Sequence, residues 1–127
     1  KSWVATHFVR HHVGVEKWVR TQRTDRTGVN RDELPQGAEV EMELEANAQA
    51  LINMSRKRLC NQASPETREV MEAIKEEVSK KDPFVARVMV KECVYRGFCP
   101  EMQPCGYDKT DNFKKEVKNY RDDEEER

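Results

Sequence analysis

The sequence predicts an α+β chain, mostly helical, with a short strand region near residues 13–23. Three observations carry that prediction. Ser64-Pro65-Glu66 is a strong helix start: Ser caps, Pro suits the first helical position, and Glu suits the positive end of the helix dipole. Val13, Val15 and Val19 alternate onto one side of an extended segment, as a strand requires. Gly and Pro cluster in 25–37 and 93–107, where they separate the periodic segments.

Taken in order, Ser2–His12 carries Trp3, Val4, Phe8 and Val9 and reads as a helix, with a buried strand as the alternative. Val13–Arg23 is the strand, with Lys17, Thr21 and Arg23 on the same side as its valines. Asp25–Gly37 is turn-rich and reads as a mobile loop. One helix is then predicted from Val40 to Cys60, with Leu44, Ala48, Leu51, Ile52, Ser55 and Leu59 as its apolar stripe. At about 100° per residue, Asn47 and Arg58 fall within about 20° of each other at the edge of that stripe. An amide and a guanidinium at such a border can point into a cleft. The helix from Ser64 buries Val70, Met71, Ile74 and Val78 and closes on Lys80-Lys81. Asp82-Pro83 starts a third helix with Phe84, Val85, Val88 and Met89, ending near Cys93. Cys93–Tyr107 reads as a loop. Asp111 caps a last helix built on Phe113, Val117 and Tyr120, before the charge run Arg121–Arg127. The expected organisation is a single, incomplete domain over 1–121 and a charged flexible tail over 122–127.

Composition narrows the function classes. Hydrophobic residues are 36% and charged residues 37% of 127, and the mean hydropathy is -0.98. That is polar for a self-contained globule, so part of the chain is expected to pack on another subunit or to lack fixed structure. A net charge of -1 hides an asymmetry. Lys1, Arg10, Lys17, Arg20, Arg23 and Arg26 face only Glu16 and Asp25 near the start, whereas the last dozen residues are acidic. An anionic ligand belongs at the basic end. No run of about 18 apolar residues exists to span a membrane, and no signal-peptide core precedes the first helix. The four cysteines are therefore expected to be reduced, in a cytoplasmic protein.

Arg10-His11-His12, followed by Arg20, Arg23 and Arg26, suits phosphate or nucleotide binding, or else a solvated basic face. His7, His11 and His12 do not make a shared metal site, because adjacent helical positions point about 100° apart. Cys93, Cys99 and Cys105 are spaced by six, wider than the pairs about two to four apart of zinc ribbons. Cys60 joins them only if its helix ends beside their loop. The expectation is no metal, with free thiols packing the loop first and a disulfide second. No Gly-rich phosphate loop occurs. Trp18 and Tyr107 can stack on a planar ring or simply pack.

The stretch Asn47–Arg68 resembles flavin-dependent thymidylate synthases. That family shows an Asn, a Leu four later, a Leu-Arg-like pair ending eleven after the Asn, and then Ala-Gln-x-Glu-Ile-Arg. Here Asn47, Leu51 and Lys57-Arg58 fall at those offsets, followed by Ala63-Ser64-Pro65-Glu66-Thr67-Arg68. Ser64 and Thr67 stand where the family has Gln and Ile. Thr6–His12 is similar to the start of the family's Arg-His-Arg-x7-Ser signature, with His12 in place of its second Arg and Arg20 in place of its Ser. Thr21-Gln22-Arg23 is similar to its Ser-Gln-Arg with one residue inserted. Cys99–Gly106 is similar to a CPE…CG segment of some members.

The resemblance implies an α+β fold, a homotetramer with active sites between subunits, and a chain lacking the family's N-terminal portion. It implies FAD as cofactor. It also implies reductive methylation of dUMP to dTMP, with methylenetetrahydrofolate as methylene donor and NADPH as reductant. By the same resemblance Arg23, Arg58 and Arg68 hold dUMP, Arg68 lies near the uracil as the catalytic residue, and Arg10, His11 and Asn47 face FAD. The alternatives are a non-catalytic relative that binds nucleotide or flavin, and a small basic nucleic-acid-binding module. Sparse aromatic interleaving near the start weakens the latter.

Overall fold

In the computed structural model, which describes residues 2–20 and 41–125, the chain opens with helix α1, Ser2–Val9. Strand β1, Val15–Arg20, follows, then β2, Glu41–Ala46. Helix α2, Ala48–Arg58, leads to α3, Pro65–Lys81, α4, Pro83–Val88, and α5, Glu92–Arg96. A 3-10 turn at Tyr107–Lys109 precedes α6, Asp111–Glu125. The described residues are thus mostly helical with one two-stranded antiparallel sheet. The chain divides into two compact units, 1–50 and 51–127.

In the first unit, β1 and β2 pair with Val15 opposite Ala46, Lys17 opposite Leu44 and Val19 opposite Met42. Val15, Lys17, Leu44 and Ala46 share one face of the ribbon, and the three glutamates of β2 alternate onto the other. The Lys17 ammonium ties the connection between α1 and β1. It donates to the carbonyl of Val9 at 2.7 Å and to that of His11, and meets His12 Nδ1 at 3.0 Å. A cation at these carbonyls complements the negative end of α1. Gly14 adopts φ 72°, and its carbonyl accepts from the Asn47 backbone N–H at 3.1 Å. Val4, Phe8, Val15 and Ala50 are buried.

The second unit is built on Met54, Met71, Met89, Val94 and Phe113, with Ser55 and Thr67 fully buried among the polar residues. Ser55 donates to the Leu51 carbonyl at 2.8 Å, satisfying its hydroxyl inside α2. Ser64 caps α3, accepting from the Thr67 N–H at 3.3 Å and donating to Thr67 Oγ1 at 2.7 Å. Asp82 serves two helices. Its N–H closes α3 on the Val78 carbonyl at 2.7 Å, and its carboxylate caps α4 through the Val85 N–H at 3.2 Å. The Gly97 N–H ends α5 on the Cys93 carbonyl at 2.8 Å, with φ 84°.

Four sequence expectations are corrected. The helix predicted from Val40 to Cys60 is a strand over Glu41–Ala46 and a helix only over Ala48–Arg58. Leu44 therefore belongs to the ribbon, and Asn47 is the cap ahead of the first helical residue, so the wheel that aligned Asn47 with Arg58 does not apply. The third helix ends at Val88, because the Met89 N–H closes it on the Ala86 carbonyl at 3.2 Å. Cys93–Arg96, expected as loop, is helical. The cap of α6 is Thr110, whose hydroxyl accepts from the Phe113 N–H at 3.2 Å, while Asp111 is the first helical residue. The strand and the helix from Ser64 stand where they were expected. Asp25–Gly37 lies outside the described residues.

Candidate functional site

A cavity of about 220 Å³ opens in the second unit between the end of α2, the start of α5 and the Cys99–Asp108 segment. The last turn of α2 presents Arg56, Lys57 and Arg58 to it, where three cations complement the helix dipole. Lys91 adds a fourth cation, and Glu92, Glu101 and Asp108 bring the opposing charge. After α2 the chain turns through Cys60–Ala63, closed by the Ala63 N–H on the Cys60 carbonyl at 2.9 Å. Gln62 Nε2 donates to the Gln103 carbonyl at 2.6 Å and pins this turn to the cysteine-bearing loop.

The polar groups around the cavity are only partly satisfied. The Arg56 guanidinium lies 3.7 Å from the centroid of the Tyr95 ring, a stacked cation-π arrangement. Its Nε is buried with no hydrogen-bond partner, as is Oδ1 of Asp108. Both atoms belong to residues that line the cavity, and both are covered by protein. Lys91 Nζ lies 3.9 Å from the Tyr107 centroid and 3.7 Å from a Glu116 carboxylate oxygen. Burial pushes the Tyr107 hydroxyl above its ordinary range, and its hydrogen bond to Glu116 adds to the rise. The Cys93 thiol is pushed up to about 11, mainly by burial. A second cavity of about 300 Å³ is lined by Lys75, Glu72, Arg87 and Glu116 among others. Burial lowers the pKa of Lys75 there, against the pull of Glu116.

The structure distributes the expected site residues unevenly. Arg58 lines the first cavity. Arg68 sits in the first turns of α3, its N–H on the Ser64 carbonyl at 3.0 Å and its Nε buried without a partner, and it is not among the cavity's lining residues. Arg10 is exposed after α1, and His11 is half-buried with its carbonyl held by Lys17. The Asn47 side chain accepts from the Ala50 N–H at 2.8 Å, so its amide oxygen caps α2. Arg23 lies outside the described residues. The three residues assigned to FAD thus belong to the first unit, and Arg58 and Arg68 to the second.

A volume near 220 Å³ holds a single ring or a phosphate, well short of the drug-sized range of about 300–1,000 Å³. It does not fit a flavin dinucleotide, and no chemical step is routed through one. Sequence reasoning missed Arg56, Lys91 and Asp108. Their signal is tertiary, since nothing local marks Lys91 and Asp108 as neighbours of the α2 terminus. The condition set for Cys60 is met: α2 ends beside the loop, and Cys60, Cys93, Cys99 and Cys105 all line the cavity. Among the described residues, no three His, Cys, Asp or Glu side chains are placed to share a metal ion, and no helix is long and apolar enough to cross a membrane.

Comparison with known proteins adds one finding. Residues 28–84 match the model of the Thy1 family, thymidylate synthase complementing protein. The match contains the Asn47–Arg68 stretch, whereas Arg10–Arg23 and Cys99–Gly106 lie outside it. No curated protein and no solved structure matches the chain. Over residues 28–84 the chain is similar to the Thy1 family.

Proposed function

We propose that this chain is a flavin-dependent thymidylate synthase-like protein whose cationic cavity takes the anionic part of dUMP. One observation carries the reading: Arg58, inside the segment that matches the family, lines a cavity together with Arg56 and Lys91. A phosphate dianion favours several charged donors, and the guanidinium fork offers two parallel hydrogen bonds to it. Arg68, with an unpartnered buried Nε, is assigned to the uracil, where a guanidinium favours negative charge developing on the ring. The reaction of this reading is reductive methylation of dUMP to dTMP, with methylenetetrahydrofolate, NADPH and FAD taking part in a cytoplasmic homotetramer. Arg10, His11 and Arg23 are assigned to the remaining flavin and phosphate contacts.

A second reading is a relative that binds nucleotide without catalysis. It is favoured by the position of Arg10–Arg23 outside the family match and by the commitment of the Asn47 amide oxygen to the α2 cap. Two measurements on the full chain separate them. Protein mixed with FAD and desalted keeps flavin absorbance under the first reading and is colourless under the second. A melting temperature that rises with dUMP supports both readings, and an unchanged one removes both.

A further inference from the structure

The second cavity, of about 300 Å³, is walled by residues of α3, α4 and α6 and by Leu59 and Val90 between helices. It has only Lys91 in common with the lining of the cavity assigned to the nucleotide. Part of its charge is settled internally. The Glu116 carboxylate lies 3.7 Å from the Lys91 ammonium and accepts from the Tyr107 hydroxyl, and Lys91 stands 3.9 Å from the Tyr107 ring centroid. Glu72 and Lys75 are three apart on α3 and share one face. Glu72 is exposed there, whereas Lys75 is half-buried. Among the described residues the Lys75 ammonium makes neither a hydrogen bond nor a close ion pair. The groups that act on its charge are Glu116, Lys91 and Glu72, all of which line this cavity. Burial lowers its pKa, a desolvation cost that an anion beside it would offset.

We propose that this second cavity is a binding site for a small organic monocarboxylate, with Lys75 as the group that takes the carboxylate. The charge of the wall selects a monoanion. Lys91 and Glu116 offset each other, which leaves Lys75 and Arg87 against Glu72. One negative charge completes that set. A phosphate dianion would bring an excess of negative charge against Glu72 and Glu116. Leu59, Val90 and Tyr120 give the same cavity an apolar wall, suited to a short hydrocarbon body or a single ring. The volume stands at the lower end of the range of small-molecule sites, about 300–1,000 Å³. A carboxylate at Lys75 makes a charge-assisted hydrogen bond, and a neutral amide of the same shape makes only an ordinary one.

The test titrates benzoate into the full chain without nucleotide, by calorimetry, beside its neutral analogue benzamide and inorganic phosphate. The expected result is saturable binding of one benzoate per chain, tighter than benzamide or phosphate by about tenfold. Lys75→Met should weaken benzoate binding by about 10–100-fold, and Lys75→Arg, which keeps the charge, should restore most of it. A brief pulse of acetic anhydride followed by peptide mapping gives a reading on the parent sequence. Saturating benzoate should slow acetylation of Lys75 and leave that of Lys80, exposed on the same helix, unchanged. Absence of benzoate binding, equal binding of benzamide, or tighter binding of phosphate overturns the proposal. So does parental affinity in Lys75→Met, or acetylation of Lys75 at the same rate with and without benzoate. The acetylation map decides the question even if Lys75→Met fails to fold.

Discussion

Asn47 is the position where a structural and a ligand-binding role separate most cleanly. Its Oδ1 accepts from the Ala50 N–H at 2.8 Å, and its backbone N–H donates to the Gly14 carbonyl at 3.1 Å. A Cβ placed on Gly14 would lie 2.5 Å from Asn47 Nδ2, and Gly14 holds φ 72°. Asn47→Ala removes one cap, a loss of about 1 kcal/mol. Asn47→Asp keeps the acceptor at the positive end of α2 and should stay within about 0.5 kcal/mol of the parent. Gly14→Ala costs about 1–2 kcal/mol for the left-handed backbone. It also forces the Asn47 side chain off its cap, for about 1 kcal/mol more. In the Asn47→Ala background that second cost is gone. The double-mutant cycle should therefore show a coupling of about 1 kcal/mol. Urea unfolding followed by circular dichroism measures all four proteins. Additive effects of Gly14→Ala and Asn47→Ala would refute the contact. An Asn47→Ala variant of parental stability that no longer takes up FAD would move the residue to the cofactor.

Other expectations follow from the same geometry. Met71→Ala empties a fully buried position in the core of the second unit, and its unfolding free energy should fall by about 2–5 kcal/mol in urea titrations. Lys17→Met removes a cation shared by the Val9 and His11 carbonyls; thermal melts should show a loss of about 1 kcal/mol that added salt does not restore. The Cys93 thiol is raised in the folded state to about 11 from 9.0, so the unfolded chain releases its proton first as pH rises. Stability should therefore fall between about pH 9 and 11, by about 1 kcal/mol after allowing for solvent screening. Cys93→Ala should flatten that part of the curve in urea midpoints taken against pH.

The start of α3 was legible because its signals are local: Ser64, Pro65 and Glu66 act within one turn of the residues they cap. β2 was not. Leu44, Ala48, Leu51 and Ile52 satisfy a helical stripe well enough, and glutamates are better helix than strand formers. What makes Glu41–Ala46 a strand is pairing with β1, far up the chain, which no local period encodes. The same limit applies to the site. The motif offset singles out Arg58, which lines the cavity, yet Arg56, Lys91 and Asp108 join it there only because α2 ends beside α5 and the loop after it. The convergence of Cys60 on Cys93, Cys99 and Cys105 is likewise a product of packing. Arg68, singled out by the motif, keeps a buried, unpartnered Nε away from the cavity's lining residues.

Calorimetric titration of dUMP into the full chain and into Arg58→Ala tests the central claim most directly. Loss of a charge-assisted hydrogen bond to phosphate should weaken binding by about 10–100-fold, with the melting temperature without nucleotide lowered by no more than about 5 °C for the lost cation at the α2 terminus. Equal affinity in the two proteins, or no binding of dUMP by the parent, would contradict the assignment of this cavity to the nucleotide.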